Sequence, residues 1–261
     1  MRRSLNRRTV PRRALVTGAA SGLAAGVAAA LAADRYEHVA ITYRRTDPAQ
    51  TLRAIETAGA AGSAARVDFL DDDATVSAIL ANAVAENGPF DTLVHGVGPL
   101  IVKRFERFTL DDYREIFDGN VRSAVLAIRA VIDNMRSAGF GRIVLFAMLG
   151  SDRTQPFRGF TFYQAAKSAV VALARSLAVE EARHGITVNV VAPGDIRHKS
   201  LPRARALEQP GRNPRGRLGS YEDVADAVRF FVARERDFIT GAVLEVTGGL
   251  TQADERNEPA P

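Results

Sequence analysis

Short apolar segments rich in valine, isoleucine and leucine alternate with longer segments of helical periodicity along the first 250 positions. The apolar segments predict β-strands over 14–17, 39–43, 64–68, 91–96, 141–147, 186–192 and 242–246. The helical periodicity predicts α-helices over 23–33, 48–58, 71–86, 110–136, 160–184 and 221–233. Because strands and helices alternate and the strands are apolar throughout, we predict an α/β fold: a doubly wound, parallel seven-stranded sheet with helices on both faces.

The amino-acid composition excludes several kinds of functional site. The chain has 261 residues and no cysteine, which excludes disulfides, cysteine-based metal sites and a thiol nucleophile. Its four histidines lack metal-ligand spacing, so we predict no metal site. One domain over 14–250 contains every predicted element, and residues 251–261 are predicted to form a polar tail.

The formal net charge of +5 comes from the amino terminus. Residues 1–13 contain six arginines and no acid, and without them 29 basic residues face 30 acidic ones. We interpret this segment as a disordered basic arm, so a nucleic-acid partner is not indicated. The arm and the alanine-rich run 14–33 also resemble a secretory or twin-arginine signal. We favour strand, turn and helix because glycines interrupt the run. No segment predicts a membrane span, so we expect a cytoplasmic protein.

A glycine-rich turn follows the first predicted strand and opens the first predicted helix. Gly18 and Gly22, with Ser21 between them and Leu23 beginning the helix, would let the backbone approach a diphosphate closely. The N-terminus of the helix would hold the negative charge of that diphosphate. The turn therefore predicts a dinucleotide-binding site.

Two arginines end the second predicted strand and bear on the choice of dinucleotide. An acid at this position would bind a free ribose 2′-hydroxyl, whereas Arg44 and Arg45 suit a 2′-phosphate. We therefore expect NADPH as the cofactor, with NADH as the alternative. A solvated strand end is the other interpretation of the two arginines.

The ends of three further strands carry candidate contacts to the same ligand. These are Asp68, Phe69, Gly96, Gly98, Pro193, Gly194 and Ile196. The carboxylate of Asp68 could accept a hydrogen bond from an adenine amine, or it could only cap a loop. The two glycines could let a flat ring lie against the backbone. The segment from Pro193 to Ile196 could offer backbone contacts to a carboxamide.

Tyr163 and Lys167 lie four residues apart in a predicted helix and therefore share one face. A cation beside a phenol favours the phenolate, so we expect Lys167 to lower the pKa of Tyr163 toward the working range of a proton donor. A half-buried ring beside an exposed amine is the alternative. Asn120 lies inside a predicted helix, where asparagine is mildly unfavourable, and this indicates a hydrogen-bonding role, such as holding a water near Lys167.

Together these motifs resemble the short-chain dehydrogenase/reductase family over about residues 12–250, and most of all its β-ketoacyl carrier-protein reductase branch. The resemblance rests on Thr17-Gly-Ala-Ala-Ser-Gly22-Leu23, Asp68, Leu93-Val-His-Gly-Val-Gly98, Asn120, Gly141-Arg-Ile-Val144, Tyr163-x-x-x-Lys167, Ile186-Thr-Val-Asn-Val-Val-Ala-Pro-Gly194, Ile239-Thr-Gly241 and Gly248-Gly249. It implies a Rossmann-like fold in which Tyr163 donates a proton to a carbonyl, Lys167 binds the nicotinamide ribose and Asn120 holds a relay water. It also implies a small-molecule or acyl-carrier-borne keto substrate and a homotetramer.

The chain departs from the family pattern where the catalytic serine is expected. Counting six residues forward from Arg142 leads to Met148, and counting thirteen back from the tyrosine leads to Gly150. Neither side chain can donate a hydrogen bond, so Ser151 or Asp152 is the candidate replacement. Pteridine reductases resemble this case because they use an aspartate.

Three milder departures surround the predicted cofactor site. The third glycine of the turn is Ala24, and the usual Asn-Asn-Ala-Gly is His95-Gly-Val-Gly98. For His95 we favour a packing or polar-network role over catalysis. The threonine often found four residues after Gly194 is His198.

The leading prediction is an NADPH-dependent carbonyl reductase acting on a 3-oxoacyl or related keto substrate. The polar loop over 197–216 suits an anionic substrate or carrier, although a solvated loop is the alternative. Against Glu208 alone it carries Arg197, Lys199, Arg203, Arg205, Arg212 and Arg215. Two other functions stay open: a catalytically weakened nucleotide-binding or regulatory protein, supported by Met148, and a pteridine-type C=N reductase, supported by Asp152.

Overall fold

The fold is a parallel β-sheet of seven strands in the order β3-β2-β1-β4-β5-β6-β7. The computed structural model describes residues 12–196 and 199–251. The strands are β1 (Arg13–Thr17), β2 (His38–Tyr43), β3 (Ala61–Arg66), β4 (Thr92–His95), β5 (Gly141–Phe146), β6 (Ile186–Pro193) and β7 (Val243–Val246). The strand order reverses beside β1, and this doubly wound, Rossmann-like sheet confirms the predicted fold class.

Helices cover both faces of the sheet. They are α1 (Gly22–Ala33), α2 (Ala49–Thr57), α3 (Asp73–Asn87), α4 (Leu110–Phe117), α5 (Ser123–Ala138), α6 (Thr161–Glu181), α7 (Arg203–Ala206) and α8 (Tyr221–Val232). None of the helices in the described ranges is long and apolar enough to span a membrane.

Alternation of side chains along each strand builds two separate cores. Leu15 and Ile143 face a core formed with α3, α5 and α6. Their neighbours Val16 and Val144 face a second core formed with α1 and α8. Because successive strand residues point to opposite faces, an unbroken apolar run is needed to fill both cores.

The amino end of β1 lies inside the fold, one residue earlier than predicted. Arg13 begins the strand and forms an ion pair with Glu37 at 2.7 Å. The Arg12 guanidinium lies 4.2 Å from the centre of the Tyr36 ring and donates to Thr92 Oγ1 at 2.8 Å. These contacts remove both arginines from the predicted arm. The rest of the arm, residues 1–11, and the tail from 252 lie outside the described residues.

Most predicted elements differ from the structure by one to three residues at an end, and two of the differences affect candidate site residues. The third strand ends at Arg66, so Asp68 lies in the loop beyond it rather than at its last position. The predicted single helix over 110–136 is interrupted by a π-helical turn, Asp118–Arg122. Within this turn the Asn120 Nδ2 atom donates to Ile116 O at 2.8 Å and to Pro99 O at 3.0 Å. A side chain that hydrogen-bonds nearby carbonyls in this way competes with regular helix geometry.

Candidate functional site

A cleft of about 360 Å³ opens at the carboxyl edge of β1, β2 and β4, where the strand order reverses. Parallel sheets of this topology bind ligands at that point. Eight of the predicted cofactor residues line the cleft: Gly18, Ser21, Arg44, Arg45, Asp68, Phe69, Gly96 and Gly98. The fold therefore brings together residues that lie up to 80 positions apart in the sequence.

The glycine-rich turn presents the N-terminus of α1 to this cleft. Gly22, with a φ of +70°, begins the helix, a conformation that favours glycine. Among the described contacts, Ser21 makes no side-chain capping bond, and the first turn of α1 contains no acid. The amide groups of this helix end are therefore free to meet an anion. Leu23, the next residue, packs against the second core.

Two departures from the family pattern compensate each other at the floor of the cleft. A Cβ atom at Gly96 would lie 2.6 Å from the Cβ of Ala24. The methyl group that replaces the third glycine of the turn therefore occupies the space that a side chain at 96 would need. The same Cβ would lie 2.7 Å from the Thr17 carbonyl, and both contacts favour glycine where the family usually has asparagine.

Arg44 and Asp68, predicted as separate ligand contacts, form an ion pair with each other. Arg44 Nε lies 2.7 Å from Asp68 Oδ2, and Asp68 Oδ1 accepts a hydrogen bond from Leu70 N at 3.1 Å. Both side chains are partly exposed, so the pair is worth little stability and is easily exchanged for a stronger contact. The guanidinium still faces the cleft, beside Arg45.

His95 sits at the centre of a buried hydrogen-bond network. Ser123 Oγ donates to Gly119 O at 2.7 Å, so its oxygen accepts from His95 Nε2–H at 2.9 Å. The other ring nitrogen, Nδ1, then accepts from the Thr17 hydroxyl at 2.8 Å. The Thr17 oxygen in turn accepts from Gly96 N at 3.1 Å. The network ties β1 and β4 to the π-helical turn.

The electrostatics of His95 favour the polar-network role over a catalytic one. Burial, with a smaller effect from the charge of Lys167, lowers the pKa of His95 to about 3. The ring is therefore neutral near pH 7, and both of its nitrogens are already hydrogen-bonded. A neutral ring held in one tautomer fixes geometry rather than transferring protons.

Replacing His95 should cost stability because the partners of the ring would be left buried and unpaired. We expect His95→Leu to lower the free energy of unfolding by about 2–4 kcal/mol, measured by urea denaturation. The matched control is His38→Leu. His38 is only partly buried and makes one side-chain hydrogen bond, to Ser63, so its loss should cost about 1 kcal/mol. Equal losses in the two variants would contradict the network.

Asn120, Lys167 and Gly98 converge beside the cleft. A Cβ atom at Gly98 would lie 2.7 Å from Asn120 Oδ1 and 2.9 Å from Lys167 Nζ. Asn120 is 1% exposed, and its Oδ1 atom has no hydrogen-bond partner within the described ranges. Buried acceptors are rarely left unpaired, so this oxygen is suited to receive a hydrogen bond from a bound water or ligand. Lys167 Nζ donates to Phe146 O at 2.8 Å.

The expected lowering of the Tyr163 pKa is wrong for this structure. Burial raises the pKa of Tyr163 to about 12. Burial, assisted by the charge of Lys199, lowers the pKa of Lys167 to about 7. The Lys167 ammonium lies 5.5 Å from the centre of the tyrosine ring and hydrogen-bonds a backbone carbonyl, and burial outweighs any effect of its charge on the phenol. Near pH 7 the tyrosine carries its proton.

The segment after β5 contains the candidate replacements for the family's serine. Ser151 is buried, and its Oγ atom accepts from Met148 N at 3.3 Å, so it is engaged within its own turn. Asp152 Oδ2 lies 3.4 Å from Arg153, and its Oδ1 atom is buried with no hydrogen-bond partner in the described part of the chain. Ser168 Oγ, from α6, donates to Ser151 O at 3.0 Å and anchors this turn to the helix of Tyr163. Either replacement stays a prediction.

The segment from Pro193 to Ile196 lies at the end of β6, next to a second cleft of about 400 Å³. Gly194 and Ile196 line this cleft. Gly194 N donates to Val246 O at 3.0 Å, so this amide is used by the sheet and is unavailable for the predicted carboxamide contact. The remaining backbone groups keep that prediction open.

Two contacts between segments that are distant in the sequence were not predicted. Thr42 Oγ1, at the end of β2, accepts a hydrogen bond from Gly18 N at 3.0 Å and fixes the glycine turn. Lys199 lies against Gly22, although the sequence placed it only in a basic loop. A hydroxyl residue two places before Arg44 was the available signal for the first contact. Nothing in the sequence around Lys199 predicts the second contact.

Comparison with known proteins identifies the family. The family model described as Enoyl-(Acyl carrier protein) reductase matches residues 18–251. The 3-oxoacyl-[acyl-carrier-protein] reductase FabG of Salmonella typhimurium is 34% identical over 241 residues, which cover 91% of this chain and 96% of that protein. Acetoacetyl-CoA reductase of Shinella zoogloeoides is 33% identical over 243 residues, covering 90% and 97%. A solved blue fluorescent protein from a metagenomic library, in complex with NADPH, has a TM-score of 0.79 at 31% identity, covering 91% and 97%. The chain belongs to the short-chain dehydrogenase/reductase family.

Proposed function

We propose that this NAD(P)H-dependent oxidoreductase reduces a keto group with Tyr163 as the proton donor and NADPH as the preferred cofactor. The observation that carries the proposal is the convergence of Lys167, Asn120 and Gly98 beside a cleft lined by the glycine turn. The α1 N-terminus, which has no side-chain cap among the described residues, supports binding of the diphosphate of a dinucleotide. The nicotinamide supplies the hydride when it is bound.

Tyr163, Lys167 and Asn120 would carry out the proton transfer. With a pKa of about 12, Tyr163 is protonated near neutral pH and is in the correct state to donate to the carbonyl oxygen. Lys167, close to its own pKa of about 7, can be charged or neutral at little cost and so can restore that proton. The Asn120 Oδ1 atom would hold a water between solvent and Lys167.

The substrate class rests on relatives and on the loop around α7. The relatives named for 3-oxoacyl and acetoacetyl reduction support a 3-oxoacyl or related keto substrate, free or carrier-borne. The basic loop supports an anionic group less strongly than its sequence suggested. Arg203 pairs with Asp226 at 2.6 Å, and Arg205 pairs with Glu208 at 3.3 Å. Because these cations are partly neutralised, we place the anion preference second to the keto group.

The arginines at the end of β2 support the preference for NADPH. We expect Arg44→Gln to raise the KM for NADPH about 10-fold or more, because a charge-assisted hydrogen bond to the 2′-phosphate is lost. The KM for NADH should change less than about twofold, since NADH has no such phosphate. Arg114→Gln, an equal change of charge on the exposed face of α4, is the control. A parallel rise for both cofactors would contradict the assignment.

A homo-oligomer, most simply a tetramer, belongs to the same proposal, as does a cytoplasmic location. A groove of about 340 Å³ runs between α5 and α6; five aliphatic and three charged side chains line it, and Val125 among them is 37% exposed. Exposed aliphatic side chains bordered by charged ones are typical of contacts between proteins, which supports this part of the proposal. Light scattering of the purified chain measures the oligomer directly, and a monomer would remove this part of the proposal.

A substrate panel tests the reaction. Oxidation of NADPH is followed by absorbance with diketones, acetoacetyl thioesters and pterins, using the wild-type chain. Turnover of a keto compound supports the proposal. Cofactor binding without oxidation on any substrate would support a nucleotide-binding protein instead, and turnover of pterins alone would support a C=N reductase.

A further inference from the structure

Lys199 lies across the glycine turn, although it belongs to a loop more than 170 residues later in the chain. Its Cβ and Cδ atoms lie 3.3 and 3.9 Å from the position that a Cβ at Gly22 would take. The aliphatic stem therefore follows the first residue of α1. The side chain is exposed, so its ammonium group can reach solvent or a ligand.

Lys199 lies over the N-terminus of α1, which carries the partial positive charge of the helix dipole. Helix α1 has 12 residues, and within the described contacts its N-cap, Ser21, makes no side-chain capping bond. Its first turn carries no acidic side chain. The helix end, with its partial positive charge, and the stem of Lys199 thus lie close together, and no ion pair of the described residues neutralises Lys199.

The charge of Lys199 also acts on a buried lysine, Lys167. Lys167 is 3% exposed, and Lys199 is one of the groups whose charge disfavours its protonated form. In the described part of the chain, no carboxylate forms an ion pair with either lysine, whereas the third lysine of the chain, Lys103, pairs with Asp112 at 2.7 Å. An anionic ligand near both lysines would relieve the repulsion that disfavours the charged form of Lys167.

We propose that Lys199 binds the diphosphate of the dinucleotide from the side opposite the glycine turn. This inference rests on the proposed function and adds a residue to its cofactor site. The diphosphate would lie between the α1 amides and the Lys199 ammonium, where it neutralises both. Lys199 would thereby hold the cofactor at its centre, while Arg44 holds the phosphate at its adenosine end.

The test compares a ligand that has the diphosphate with one that lacks it. Binding of NADP⁺ and of adenosine 2′-monophosphate is measured by calorimetry for the wild type and for Lys199→Gln. We expect the variant to bind NADP⁺ about 10-fold more weakly, and to bind adenosine 2′-monophosphate within about twofold of the wild type. Arg114→Gln, an equal charge change on the exposed face of α4, should leave both affinities unchanged.

A second variant separates charge from loop structure. Lys199→Arg keeps the cation, so it should bind NADP⁺ within about threefold of the wild type. The proposal is overturned if Lys199→Gln binds NADP⁺ normally, or if it loses both ligands equally. In either case wild-type binding of NADP⁺ and turnover with NADPH would leave the proposed function intact. Failure of the wild type to bind NADP⁺ at all would instead remove the proposed function and this inference together.

Discussion

Tyr163→Phe should lower kcat for ketone reduction about 10³-fold, because the variant lacks the only proton that this ring can give to the carbonyl oxygen. The ring itself remains, and its contact with Phe160, 6.3 Å between ring centres, involves no hydroxyl. The dissociation constant for NADPH, measured by fluorescence titration, should therefore stay within about threefold of the wild-type value. The expected result is a loss of turnover without a loss of cofactor.

Tyr113→Phe provides the matched control for this prediction. Tyr113 is a partly exposed tyrosine of α4 whose ring packs 4.5 Å from Phe117, measured between ring centres. Removing the same oxygen atom there should leave kcat unchanged. If Tyr163→Phe kept more than about a tenth of the wild-type rate, general acid catalysis by this phenol would be excluded.

Lys167→Met should lower kcat and should also change how the free energy of unfolding depends on pH. We expect kcat to fall about 10²-fold because the proton supply of Tyr163 is lost. The variant also removes a buried cation whose pKa burial has lowered from 10.5 to about 7. Since the unfolded chain binds this proton more tightly than the folded one, wild-type stability should increase as the pH rises through about 7. The variant lacks this increase.

The pH dependence of that difference is the measurement. Urea denaturation between pH 6 and pH 9 should show the wild type gaining on the variant, approaching about 1.4 kcal/mol per pH unit above pH 8. Lys103→Met is the control, because Lys103 is partly exposed and already paired with Asp112. A wild-type curve parallel to that of Lys167→Met would show that Lys167 is not held near neutrality by burial.

The strands and the glycine-rich turn could be predicted from the sequence because they depend on local patterns of residues. Unbroken apolar runs such as the one ending at Thr17 predicted the strands, because both faces of a parallel sheet are buried. The glycine-rich turn after this strand predicted the cleft, since glycine allows the tight turn that joins a strand to a ligand-binding helix N-terminus. The end of the third strand and the break in the fourth predicted helix were not predicted, because both depend on packing that no local pattern contains.

The parts that could not be predicted are those that depend on distant segments meeting. The Arg44–Asp68 pair joins two loops, and each side chain alone indicated a separate contact to ligand. The pKa of Tyr163 was predicted in the wrong direction because helical spacing gives proximity, whereas burial decides the sign. The position of Lys199 on Gly22 requires the path of a long loop, which residue types alone do not define.

The contact between Ala24 and position 96 makes the residues at these two positions depend on each other. With alanine at 24, any side chain at 96 would clash with its methyl group and with the Thr17 carbonyl, 2.7 Å from a Cβ there. Glycine at 24 would remove the first clash and leave the second. A side chain could therefore be introduced at 96 only if the backbone of β1 also moved, so Gly96 fixes how closely β1 and β4 meet at the base of the cleft.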